Sequence, residues 1–244
     1  MAHTLFPWPF PEMQAGGQPA DSCSPLRGEV FFRALVEIRS GAVAGIETAQ
    51  VAETGEELLA PRRPASPDHV LAPDARALLG LKARGDAAHL VRAGLDLRVE
   101  RIGAAHGLTP GRTILMFDVG ELLREPGRAV ELLVACKRAG ARILLDNFDL
   151  DEPPARFMEM LPADILRVSP GRMPWHWDEA RRGQALREAL AFAGNLLMDV
   201  AVEDARVESR RTAYKRLGVR YVQGAWRRDD GAGSSPALRL AAEG

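Results

Sequence analysis

From residue 113 to residue 223, short β-rich runs take turns with stretches of helical periodicity, and this alternation leaves few folds open. TILMFDV reads as a strand. PGRAVELLVACKRAG follows as a helix, with Pro126 in its first turn, Ala129, Leu132, Leu133 and Cys136 on one face, and Gly140 just past its end. The pattern continues through strand ARILLDNF, strand ADILRV, a helix from about Asp178 to Ala193, strand NLLMDVAV, a helix from about Asp204 to Leu217, and strand VRYVQG. Parallel strands joined by crossover helices are the expected result, and the count points to a βα barrel. The opening differs, because EVFFRALVEIRSGAVAGIETA reads as two strands around Ser40 and Gly41, which predicts an antiparallel start. In such barrels functional groups sit where strands end, which selects Glu47, Asp118, Asp146, Arg167, Asp199 and Gln223.

The 244 residues, 46% of them hydrophobic, suffice for one core of this size. Residues 1–28 carry Pro7, Pro9, Pro11, Pro19 and Pro25, the composition of an extended tail that is mobile or docked. The barrel domain is assigned to 29–226, and 227–244 reads as a flexible C-terminal tail. With 32 basic against 33 acidic residues, no overall field collects nucleic acid or a membrane surface. No apolar run reaches the roughly 18 residues of a membrane span. Cys23 and Cys136 are too few for a disulfide framework and fit the cytoplasm. His69, His89, His106 and His176 show no metal-ligand spacing. Trp175, His176 and Trp177 share one loop, read as a packed lid, with a stacking platform or partner anchor as the alternative.

The segment LLDNFDLDEPPARFMEMLPADILRVS resembles, without a gap, a stretch of the EAL domain family whose usual pattern is Asp-Asp-Phe-Gly-Thr-Gly followed by Leu-Pro-x-Asp-Ile-Leu-Lys-Ile-Asp. FFRALVEIRSGAVAGIE is similar to that family's first hairpin, which ends in the name-motif glutamate, here Glu47. VAVED stands where the family has Glu-Gly-Val-Glu-Thr, and LGVRYVQG where it has Leu-Gly-Cys-Asp-x-x-Gln-Gly. The resemblance implies the fold of cyclic di-GMP phosphodiesterases, an EAL-type modified TIM barrel with an antiparallel first strand.

It also implies a degenerate member. Active relatives hold two divalent cations with carboxylates and an asparagine, and the ions generate the attacking hydroxide. Here Glu47 and Asp146 remain, the second aspartate is Asn147, and the strand reading Glu-Ile-Thr-Glu is laid on Phe117, Asp118, Val119 and Gly120, which puts an aromatic ring at a ligand position. No asparagine precedes Asn147, although the family's metal-binding asparagine lies between the name motif and that strand. The catalytic lysine position reads Arg167, whose permanent charge cannot serve as a tunable acid or base. Val200 replaces a glutamate, Glu203 keeps one that steadies the loop after the Asp-Asp strand, Val51 replaces a phosphate-contacting arginine, and Gln223 survives.

Glu47, Asp146, Asn147, Arg167, Glu203 and Gln223 are therefore read as remnants of a site, with no catalytic role, no cofactor, and Glu47 and Asp146 the remaining candidates for Mg or Mn. A rebuilt acidic site from Asp118, Asp146, Asp149, Asp151, Asp199 and Glu203 is the competing arrangement. The expected function is that of an inactive EAL-like domain in bacterial cyclic di-GMP-related signalling, with another protein as partner and a homodimer compatible with the sequence. A receptor that binds cyclic di-GMP without cleaving it, and a divergent phosphodiesterase, are the alternatives. The block from Asp146 to Ser169 makes one sharper expectation: Asp146 and Arg167 lie at the same end of adjacent parallel strands, within geometric reach of an ion pair.

Overall fold

Strands form where β-branched and aliphatic residues alternate, and the alternation decides which side chains enter the barrel. The structure, a computed structural model, describes residues 28–52, 87–99, 110–151, 154–225 and 227–228. β1 (Gly28–Glu37) and β2 (Val43–Ala52) form the expected hairpin, turning at residues 38–40. β3 (Ala88–Arg92), β4 (Thr113–Asp118), β5 (Arg142–Asp146), β6 (Ile165–Val168), β7 (Asp199–Glu203) and β8 (Tyr221–Gln223) follow in parallel. β1 pairs antiparallel with both β2 and β8, which closes an eight-stranded barrel of the expected modified TIM type. β9 (Arg227–Arg228) pairs with Phe31 and Phe32 of β1, so regular pairing runs two residues into the segment assigned as C-terminal tail. Residues 1–27 and 229–244 lie outside the described residues.

The helices cover the barrel. α1 (Val119–Leu122) is one turn started by Asp118, whose Oδ1 accepts from the Glu121 amide at 3.0 Å. α2 (Pro126–Arg138) buries Ala129, Leu133 and Cys136, a spacing of four and three that places them on one stripe. Short α3 (Ala155–Met158) precedes β6. α4 (Glu179–Asn195) is capped by Asp178, and α5 (Val207–Leu217) stops at Gly218, which takes the left-handed conformation that glycine adopts without strain.

Two apolar layers result. Phe117, Leu145, Leu166, Val200 and Val202 on the strands share one buried cluster with Val119 of α1 and Leu133 of α2. Leu35, Leu90, Ile114, Met116, Leu144, Ile165, Ala201 and Tyr221 fill the interior. At Gly45 an added Cβ would meet Leu90 Cδ1 at 2.3 Å, so a larger residue there would force the Leu90 side chain to shift. Beneath this plug, Arg220 pairs with Asp199 at 3.0 Å and lies over the Tyr221 ring at 5.3 Å.

Candidate functional site at the barrel mouth

Because side chains alternate along a strand, the inward residue two positions beyond each interior aliphatic lies at the mouth. Leu144 is followed by Asp146, Ile165 by Arg167, Ala201 by Glu203, Tyr221 by Gln223, Leu90 by Arg92, and Met116 by Asp118. On β2 the same step from Gly45 gives Glu47, and on antiparallel β1 the step back from Leu35 gives Arg33. Nearly every strand thus delivers an ionisable group to one level.

Arg167 is the hub. Its Nε donates to Asp146 Oδ1 at 2.8 Å and its Nη2 to Asp146 Oδ2 at 2.5 Å, a fork matched to a carboxylate. Nη1 donates to Gln223 Oε1 at 2.8 Å and to Glu47 Oε2 at 3.1 Å. Gln223 Nε2 closes the ring by donating to Glu47 Oε2 at 3.0 Å. Arg167 and Asp146 are each 1% exposed, and the ion pair that their strand positions allow is present.

Two further arginines complete the arrangement. Arg33 donates from Nε to Glu47 Oε2 at 2.8 Å and from Nη1 to Glu203 Oε1. Arg92, at 30% side-chain exposure, places Nη2 3.2 Å from Asp146 Oδ2 and Nε 4.0 Å from Glu47 Oε1. Three guanidinium groups therefore face the carboxylates of Glu47, Asp146 and Glu203. Sequence reasoning missed Arg33 and Arg92, although each stands two residues from an interior leucine. Arg92 also ends the one described strand between Glu47 and β4, the stretch where the resemblance calls for an asparagine.

The charges are mutually dependent. Burial pushes the carboxyls of Glu47, Asp146 and Glu203 up, but the neighbouring arginines, Arg167 first, outweigh it and hold all three below their ordinary range, Glu203 at about 2. Burial alone would lower Arg167, yet Asp146 and Glu47 raise it above its ordinary value, so this guanidinium stays charged at every accessible pH.

Several expected assignments change. Phe117 faces the outer helix layer, and the inward residue of β4 is Asp118, directly beside Asp146 in register. The end of β4 therefore presents a carboxylate beside Asp146, not the expected aromatic ring. Asn147, at φ 56°, donates from Nδ2 to Asp118 Oδ2, while its buried Oδ1 has no partner. Asp199 starts β7 and pairs with Arg220 at the opposite end of the barrel, which breaks up the proposed acidic site. Asp149 accepts from the Asp151 amide in an exposed turn. Glu203 bonds Arg33 and, at 2.7 Å, the Ser169 hydroxyl after β6. The loop after β5 is instead fastened by Phe148 stacked on Phe192 of α4. Val200 lies in the outer layer. The side chain of Val51 lies outside the described residues, as do His69 and His106.

The Trp loop follows β6 and splits in two. Trp177 is packed, with the Arg181 guanidinium 4.3 Å over its ring, as a lid requires. Trp175 is 84% exposed and meets His176 edge-on, contrary to the packed reading.

Among the described residues no group of three or more His, Cys, Asp or Glu side chains is arranged to hold a metal ion, and no helix is long and apolar enough to cross a membrane. The residues present do not fit a cation pair on Glu47 and Asp146. Both Asp146 oxygens and Glu47 Oε2 already accept from guanidinium groups, so a cation there would have to displace Arg167.

No family model matches the chain. An uncharacterized protein of Azorhizobium caulinodans is 24% identical over 138 residues, which cover 57% of this chain and only 19% of that protein's length. Among solved structures, the PaMucR phosphodiesterase in complex with c-di-GMP superposes with a TM-score of 0.62 and 16% identity, covering 80% of this chain and 88% of that one. The EAL domain of Mycobacterium smegmatis DcpA gives a TM-score of 0.62 and 16% identity over 87% and 97% of the two chains. The Bacillus subtilis YkuI protein, with an EAL domain and in complex with substrate c-di-GMP and calcium, gives 0.61 and 17% over 88% and 58%. A closed eight-stranded barrel with one antiparallel strand, an ionisable ring at its mouth and these superpositions together establish that the chain has the fold of the EAL domains.

Proposed function

We propose that this barrel is a catalytically inactive EAL-like domain, a cytoplasmic regulatory or protein-interaction module in bacterial cyclic di-GMP-related signalling. The observation that carries the reading is the buried fork of Arg167 on Asp146, extended to Glu47 and Gln223. A fixed guanidinium there satisfies the carboxylates electrostatically, as a metal would, but supplies no activated water. The lysine position of the resemblance is filled by the same arginine, so an acid or base near neutral pH is missing as well. General acid–base work alone is worth about 10²- to 10⁴-fold in rate, and its loss compounds the loss of the ions. What persists is a rigid barrel with an altered mouth, suited to binding another protein.

Isothermal titration of the chain with Mn²⁺, with Mg²⁺, and then with cyclic di-GMP tests the reading. Flat traces are expected in all three. Heat with cyclic di-GMP alone would move the assignment to a non-hydrolysing receptor, and stoichiometric Mn²⁺ binding lost in Asp146→Asn would overturn the internal-cation reading.

A further inference from the structure

The end of the barrel opposite the mouth carries an uneven charge, although the chain as a whole balances 32 basic against 33 acidic residues. The parallel strands enter from this end, and the turn that follows antiparallel β1 lies here too. A chain of ion pairs crosses its middle. Lys137 pairs with Asp164, Arg142 and Arg220 with Asp199, and Arg220 also with Glu37, so these three acids are matched within the face. Around them stand exposed Arg39 in the hairpin turn, Arg112 at the entry to β4, Arg138 in the last turn of α2, and Lys215 and Arg216 in the last turn of α5. Among the described residues of these loops and final turns, Glu159 is the one further acid. Cations at helix C-termini complement the helix dipole, which accounts for α2 and α5. Arg39 and Arg112 lie on no α-helix, so the dipole does not account for the face as a whole.

Two apolar side chains project from the same end. Leu197, in the loop entering β7, is 93% exposed, and Met160, in the loop entering β6, is 55% exposed. The Asp199 amide donates to the Asp164 carbonyl at 2.9 Å, which ties the two loops together. Leu197 also holds φ at 57°, a conformation that favours glycine, and its exposure leaves little packing within the fold to offset the strain. A strained side chain given over to solvent points to a use outside the fold.

The combination selects the partner. Anionic lipid headgroups attract dispersed cations and let aliphatic side chains pass below them, so a bilayer surface uses both features at once. A nucleic acid would use the cations but has no counterpart for Leu197 and Met160, and it calls for exposed aromatic rings on which bases stack. Tyr221 at this end is buried, with the Arg142 and Arg220 guanidinium groups over its ring. An acidic protein would meet the charge but would have to present a shaped pocket for each of the two apolar tips, which a fluid bilayer does not need.

We propose that this face docks on the surface of an anionic lipid bilayer, with Leu197 and Met160 entering the headgroup layer and the barrel mouth turned away from the lipid. The proposal goes beyond catalytic inactivity and stands whether or not the mouth turns over, because the two ends of the barrel share no residue.

Flotation of the full chain with unilamellar vesicles tests it, comparing phosphatidylcholine alone with phosphatidylcholine containing about one third phosphatidylglycerol. Binding to the anionic vesicles should exceed binding to the neutral ones by about tenfold or more, and should be lost between about 0.1 M and about 1 M salt, where the screening length falls from about 10 Å to about 3 Å. Arg39→Glu/Arg216→Glu should weaken the binding by at least about tenfold. Leu197→Gly, which relieves backbone strain and so keeps the fold, should weaken it by about tenfold without removing its salt dependence. Equal binding to both vesicles, binding to neither, or anionic-vesicle binding unchanged in both variants would overturn the proposal. So would poly-glutamate displacing the chain from the anionic vesicles in the wild type and in Leu197→Gly alike, which would assign the face to an acidic protein.

Discussion

Arg167 and Asp146 end adjacent parallel strands and face each other through two parallel hydrogen bonds, 2.8 Å from Nε and 2.5 Å from Nη2, with both side chains almost wholly removed from solvent. Such a pair does not stabilise a fold simply by existing, because desolvation of both ions offsets the attraction. Its consequence lies in dependence, since neither charge can be removed without stranding the other.

Arg167→Met leaves Asp146 and Glu47 buried with fewer cations, and the expected loss is about 3 to 5 kcal/mol in urea unfolding. Adding Asp146→Asn to that variant should restore part of the loss, giving non-additivity in a double-mutant cycle. Equal midpoints for the wild type and Arg167→Met would mean that the network is dispensable.

The acid limb of stability should carry the signature of Glu203. Burial raises its carboxyl, but Arg167 and Arg33 outweigh this and lower it from 4.5 to about 2. In this window the unfolded chain binds more protons than the folded one, so the contribution is full above pH 4.5 and is lost as pH falls towards 2. Urea midpoints measured across that interval should fall more steeply in the wild type than in Glu203→Gln. Parallel profiles would remove Glu203 from the network.

Leu197 ends α4 in the left-handed region at φ 57°, with 93% of its surface exposed, and the Met198 amide donates to the Ala193 carbonyl at 2.8 Å behind it. Glycine takes this conformation without a Cβ clash, so Leu197→Gly is expected to stabilise the chain by about 1 kcal/mol. A lower melting temperature would show that the leucine side chain makes a contact in solution that offsets its strain.

Much of the barrel could be read from the residues because strand and helix periodicities differ and each segment kept to one of them. The gapless stretch from Asp146 to Ser169 placed Arg167 beside Asp146 for that reason. Phe117 and Asp118 show where reading by pattern slips: an offset of one residue exchanges the inside and outside of a strand, and hydrophobic content alone does not reveal the shift. The strand expected over NLLMDVAV is shorter in the structure, because its first residues end α4 and the strand begins only at Asp199, which puts that carboxylate at the far end of the barrel from the mouth. Arg33 and Arg92 carried a signal in their two-residue offset from interior leucines. Their partners lie 14 to 170 positions away along the sequence for Arg33, and on β2 and β5 for Arg92, so the neutralising network emerges only when the barrel closes.

The central proposal, that an internal guanidinium stands in for the cations of a phosphodiesterase, is tested most directly by turnover of cyclic di-GMP by the full chain in saturating Mn²⁺ or Mg²⁺, followed by chromatography of the products. No linear dinucleotide above the uncatalysed background is expected with either ion. Hydrolysis that disappears in Glu47→Ala would contradict the proposal, since it would require a working metal centre at the position Arg167 fills.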